Sequence, residues 1–153
     1  MAYKPELLAT ASSPEDARHM LEAGATALLI GDDRFGMRLP GHFTPDQIRE
    51  VVEEARKHAA QVYVSMTNLM TNELLPLLPE YVQTIAGCGV DAIEFNDPAV
   101  LMAVKEYAPH LKLFWNGEMI STNFATANYW GEKGASRVIL ARELSMDEIT
   151  EMI

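Results

Sequence analysis

The sequence predicts an α/β fold, a partial TIM-like (β/α) barrel of about the first six βα units, and three observations carry that prediction. Short β-branched or Leu-rich runs alternate with helical stretches at the spacing of repeated βαβ units around a parallel sheet. Three segments echo one another: EAGATALLIGDD (22–33), GCGVDAIEFNDP (87–98) and EKGASRVILARE (132–143). Each closes a helix on glycine, passes a small residue and runs through an apolar strand into charged or amide residues. The third observation is where those glycines fall. A doubly wound nucleotide fold wants them just after a strand, as GxGxxG or GxxxxGK[ST], and neither motif occurs, whereas Gly24, Gly89 and Gly134 all precede strands.

Taken in order, ELLATA (6–11) reads as the first strand, and Ser13-Pro14-Glu15 supplies an N-cap with proline in the first helical turn. TALLIG (26–31) is the second strand. After a long polar loop, Thr44-Pro45-Asp46-Gln47 fits a capping box. The helix it opens carries acids early and Lys57 and His58 late, as the helix dipole favours. QVYVSM (61–66), DAIEFN (91–96) and LKLFW (111–115) are the third to fifth strands. FATANYWGEK (124–133) spaces Ala127, Trp130 and Lys133 three apart, which is an amphipathic helix packing on a core rather than a base-stacking platform. RVILA (137–141) is the sixth strand, and Ser145-Met146-Asp147-Glu148 opens a last capped helix. A complete barrel takes about 250 residues, so residues 1–153 read as the N-terminal portion of a truncated barrel domain.

Composition narrows the functional classes. At 153 residues and 48% hydrophobic, the chain has the material for one core. It holds no apolar stretch of bilayer-crossing length, and residues 1–20 lack the charged start and apolar centre of a signal peptide, so a cytoplasmic protein with no membrane partner is expected. A single cysteine, Cys88, excludes an internal disulfide framework and a cysteine-only metal cage within this chain. The net charge of -10 argues against nucleic acid as a partner of this chain alone.

In parallel α/β folds chemistry gathers where strands end, because strand-end side chains and helix N-termini converge there. Asp32, Asp33, Arg34, Arg38 and His42 follow the second strand; Thr67, Asn68, Asn72 and Glu73 follow the third. Asn96 and Asp97 follow the fourth, Asn116 and Glu118 the fifth, and Arg142 and Glu143 the sixth. One polar strand end is ordinary, since loops are polar and Asp or Asn caps helices. Five together mark a rim. Glu118 reads equally as a substrate-facing charge or as the N-terminal charge of the next helix.

The segments ALLIGDDRFGMR, VYVSMTNLMTNELLP, GVDAIEFNDPAVL, LFWNGEMISTN and GASRVILARELSMDEI resemble, in order and spacing, the N-terminal region of peptidase family U32, the collagenase-like peptidases. RVILARELS (137–145) is the most specific piece, followed by Gly31 to Arg38. The resemblance implies a TIM-like barrel continued by a C-terminal cysteine-rich part that is absent here. It also implies a peptidase acting on a peptide or small anionic substrate. The alternatives it carries are a factor for prephenate-dependent hydroxylation of a tRNA uridine, or an inactive fragment that self-associates into a homo-oligomer through its open strand edges. No cofactor is implied for this chain; an iron–sulfur cluster or metal belongs to the missing C-terminal region. Position by position, the family pattern places substrate contacts on Arg38, Asn68, Asn72, Glu73, Asp97, Asn123 and Arg142, with Glu143 beside them. Asn116-Gly117-Glu118 departs from the Ser-Thr-Gln-like triplet of many relatives, and Asn116 is kept among the substrate contacts.

The residues themselves name no protease. GxSxG and HExxH are both missing. Cys88 falls at a helix end away from the rim, a place for a structural thiol. His19, His58 and His110 sit away from the rim, which leaves His42 as the one histidine placed to act as a base or ligand. Candidate catalytic groups are therefore Glu118, Glu143 and His42. The acids Asp32, Asp33 and Asp97 alone are weak grounds for a metal, and none is assigned.

Overall fold

The computed structural model describes residues 4–153. Strands β1 (Leu8–Thr10), β2 (Ala27–Ile30), β3 (Gln61–Met66), β4 (Ala92–Phe95), β5 (Lys112–Asn116) and β6 (Arg137–Ile139) alternate with helices α1 (Pro14–Glu22), α2 (Pro45–Lys57), α3 (Leu78–Gly87), α4 (Pro98–Tyr107), α5 (Phe124–Lys133) and α6 (Met146–Glu151). The strands form one sheet in the order β1 to β6, every pair parallel. This is the α/β half-barrel expected from the sequence.

Alternation along the strands separates two layers. Leu28, Ile30, Val62, Val64, Ile93, Phe95, Leu113 and Trp115 point outward into the main core with Ile48, Val51, Val82, Ile85, Val100 and Val104 from the helices. Ala27, Tyr63, Ala92 and Phe114 point to the concave side and pack with Leu29 and Ile139. Arg137 on β6 donates to Glu6, just ahead of β1, at 2.7 Å. Five strand spacings of about 4.8 Å would hold these edges about 24 Å apart in a flat sheet, so the contact requires a strong curl. Glu6 also accepts from the Tyr63 hydroxyl, and the Arg137 guanidinium lies 4.3 Å from the Phe114 ring centroid. These groups plug the N-terminal end of the curl and leave its C-terminal end open.

Local chemistry accounts for the element ends. Ser13 accepts from Asp16, and both capping boxes form, Thr44 with Gln47 and Ser145 with Glu148. Gly134 terminates α5 at φ +112°, a left-handed conformation costly for any residue with a Cβ. The first and last strands are shorter than the apolar runs 6–11 and 137–141, because each is an edge with one neighbour. Trp130 of α5 stacks on Trp115 at 4.9 Å, the core role its spacing implies. Among the described residues no helix is long and apolar enough to cross a membrane.

Candidate functional site

The strand-end rule locates a cavity of about 290 Å³ at the C-terminal ends of β5 and β6, lined by Arg38, Asn116, Glu118 and Met119 and by residues 139–143. Five sequence candidates come together there: Arg38, Asn116, Glu118, Arg142 and Glu143. Ile139, Leu140, Ala141 and Met119 add an apolar wall.

Arg38 reaches across from the β2–α2 loop and donates from Nη1 to Glu118 Oε2 at 3.1 Å. Its four other N–H groups make no hydrogen bond among the described residues, so most of the guanidinium fork stays available. Both partners hold left-handed backbone, φ 56° at Arg38 and 52° at Glu118. Such strain in non-glycine residues persists only where the surroundings enforce it. At Glu118 the enforcement is visible: its N–H donates to Asn116 Oδ1 at 3.0 Å, and its carbonyl accepts from Ser121 Oγ at 3.2 Å. Between them, Gly117 lies against the Trp115 indole where a Cβ would collide. Glu118 thus pairs with Arg38 and also opens a short 3₁₀ turn, Glu118–Ile120.

Arg142 and Glu143 differ from that pair. Both are exposed, and neither enters a hydrogen bond or ion pair among the described residues. In a chain of net charge -10, a free guanidinium at a cavity edge is the group most available to an anion.

Beneath the cavity lies a residue that strand-end reasoning passed over. Glu94 on β4 faces the concave side with 7% exposure and accepts from Asn116 Nδ2 at 2.8 Å. Burial holds its carboxyl above the usual range, only partly offset by the Asn116 hydrogen bond, and neighbouring Glu118 adds to the rise. Its one signal in the sequence is a lone charge within the apolar run AIEF.

The other candidates serve the rim without lining the cavity. Asn68 donates to the Arg34 carbonyl at 3.1 Å and accepts from the Leu69 N–H, tying two loops together. Asn72 and Glu73 lie exposed in the turn after β3. Asp97 accepts from Ala99 to cap α4, and Asn123 accepts from Thr126 to cap α5. His42 lies instead with Asp32 and Asp33, their ligand atoms within 4.8 Å of one another. Asp32 is already taken. Although buried, its carboxyl is held below the usual range by Arg34, which chelates it through Nη2 at 2.6 Å and Nε at 3.0 Å. His42 Nδ1 accepts from the Asp33 N–H at 3.4 Å. Arg34 satisfies Asp32 alone, His42 Nδ1 also lies 3.1 Å from the exposed Asp33 carboxylate, and Asp97 is not part of the group.

The donors present do not fit an iron–sulfur cluster. Cys88 is buried, its thiol pushed up by burial and hydrogen-bonded to the carbonyls of Pro45 and Thr84, both at 3.3 Å. The cavity lining contains no serine, cysteine or histidine, so it holds no nucleophile–histidine pair among the described residues.

Comparison with known proteins gives a consistent result. Residues 12–153 match the model of peptidase family U32. The chain is 50% identical over 149 residues to tRNA hydroxylation protein P2 of Bacillus subtilis (strain 168), covering 97% of this chain and 48% of that protein. It is 30% identical over 151 residues to tRNA hydroxylation protein P of Escherichia coli (strain K12), covering 98% of this chain and 33% of the relative. The chain therefore spans half or less of the length of these relatives. A solved U32 peptidase superposes with a TM-score of 0.72 at 15% identity, covering 100% of this chain and 67% of that one. 3-Hexulose-6-phosphate synthase from Salmonella typhimurium gives 0.70 at 15% identity, covering 96% and 69%. These structural likenesses speak to the fold.

Proposed function

The chain belongs to peptidase family U32, and from that premise we propose that it is the N-terminal half-barrel of a tRNA hydroxylation protein, its rim cavity taking a small carboxylic acid such as prephenate. The observation that carries the ligand class is the free guanidinium of Arg142, set at the same cavity as the mostly free fork of Arg38. A carboxylate is the group that such forks bind in bidentate fashion. The apolar wall of Ile139, Leu140 and Ala141 suits the carbon skeleton of the acid. Glu143, beside Arg142 at the same cavity, stands free to accept a hydroxyl contact.

Two features favour hydroxylation over peptide cleavage. Similar proteins from Bacillus subtilis and Escherichia coli carry the tRNA hydroxylation name, and the cavity offers no nucleophile–base pair. The acidic charge of this half favours a tRNA contact made elsewhere in the protein. Deleting the gene and analysing tRNA nucleosides by mass spectrometry tests this reading. Loss of a hydroxylated uridine is the expected result. Unchanged nucleosides, together with gelatin hydrolysis by the purified protein, would return the peptidase reading.

A further inference from the structure

We propose that Glu94 is a positioning residue for the cavity, fixing the orientation of the Asn116 amide and through it the strained Glu118 turn that holds Arg38. This rests on the reading of the cavity as an acid-binding site, and it adds a residue from the concave face that the rim itself does not contain.

A chain of hydrogen bonds links Glu94 to the mouth of the cavity. Asn116 is the last residue of β5, and its side chain shares the concave face with Glu94 on the neighbouring strand. Its Nδ2 donates to Glu94 Oε1 at 2.8 Å, and its Oδ1 accepts the Glu118 N–H at 3.0 Å. Turning the amide over would set an NH₂ against the Glu118 N–H and destroy both bonds. The Glu118 N–H can only donate, so Oδ1 must face it, and Glu94 supplies the acceptor that anchors the Nδ2 end of the amide. Asn116 in turn supplies the acceptor that supports left-handed backbone at Glu118, φ 52°. Glu118 then delivers Oε2 to Arg38 Nη1 at 3.1 Å, and Arg38 is itself held at φ 56°. Four residues thus run from a buried carboxyl to the guanidinium at the mouth.

The location gives this chain a functional sense. Arg38 is 71% exposed at its side chain, and an untethered arginine there would lose rotamer freedom each time it met a ligand. One contact to Glu118 orders it beforehand while sparing the other N–H groups. Burying Glu94 removes a carboxyl from water, which a purely structural layer of the barrel would avoid by using an apolar side chain.

The test compares Glu94→Gln, which keeps an acceptor oxygen, with Glu94→Met, which keeps length and loses the acceptor. It uses the protein at its full natural length, with thermal melting as the check of folding. The first readout is amide hydrogen exchange at Glu118, followed by NMR. The second is prephenate affinity by calorimetry. Glu94→Met should speed Glu118 exchange about tenfold and weaken prephenate about threefold to tenfold, with melting unchanged or raised. Glu94→Gln should stay within about twofold of wild type on both. A generic packing role would instead couple weaker binding to lower melting, and Gln would rescue no better than Met. Equal Glu118 exchange in wild type and Glu94→Met overturns the proposal. Faster exchange in Glu94→Met, with no prephenate binding by the wild type, supports the role of Glu94 and overturns the ligand reading instead.

Discussion

Arg38 and Glu118 meet at 3.1 Å from loops 80 residues apart in the chain, and both adopt left-handed backbone to do so. Two costly conformations spent on one exposed ion pair are out of proportion to its stability, because pairs in water contribute about 0.2–1 kcal/mol. Their value is geometric. They hold a guanidinium over a cavity that also contains Arg142.

Gly117 makes that turn possible, and its replacement is the simplest test of the loop. A Cβ at this position would run into the Trp115 indole and the Ile120 side chain. Trp115 is 1% exposed and stacked on Trp130, so the indole cannot step aside. Gly117→Ala should therefore destabilise the protein by about 1–3 kcal/mol. Thermal melting should fall by several degrees, at about 2–4 °C per kcal/mol for a domain of this size. Wild-type melting in the variant would mean that the loop repacks freely.

At the other end of the curl, Glu6 and Arg137 form a 2.7 Å pair whose contribution depends on pH. Burial alone would raise the Glu6 carboxyl, but hydrogen bonds from Arg137 and Tyr63 outweigh it and hold the group below its usual range. A depressed folded value means stability that is present above the unfolded carboxylate range and lost as pH falls through the folded value. Arg137→Met keeps the packing on Phe114 and removes the charge. It should melt lower than wild type near pH 7 by an amount worth about 1 kcal/mol, since Arg137 is 43% exposed and screened by solvent. As pH falls from the ordinary carboxylate range through the lowered Glu6 value, the gap should close. A gap independent of pH would assign the effect to cation–π packing alone.

Much of this was legible in the sequence because its causes are local. Caps at Ser13, Thr44 and Ser145 and the glycines ahead of strands depend on a few neighbouring residues, and they appear where the sequence places them. The strand-end rule named Arg38, Asn116, Glu118, Arg142 and Glu143, which line one cavity. It also gathered Asp97 and Asn123, whose helix-capping duty uses the same residue types at the same places. Glu94 was hidden because a strand residue that faces the barrel interior reads as part of an apolar run. The Glu6–Arg137 contact was hidden by its sequence separation of 131, which only the curl of the sheet brings together.

On the function proposed here, the cavity at the ends of β5 and β6 binds a small carboxylic acid through Arg142. Calorimetric titration of prephenate into the full-length wild-type protein and its Arg142→Ala variant tests it most directly. Arg142 is exposed and enters no hydrogen bond or ion pair among the described residues, so the variant should melt within about 1 °C of wild type. It should bind prephenate about tenfold to hundredfold more weakly, the loss expected for hydrogen bonds to a charged group. Equal affinity in the two proteins, or no binding by the wild type, would contradict the account.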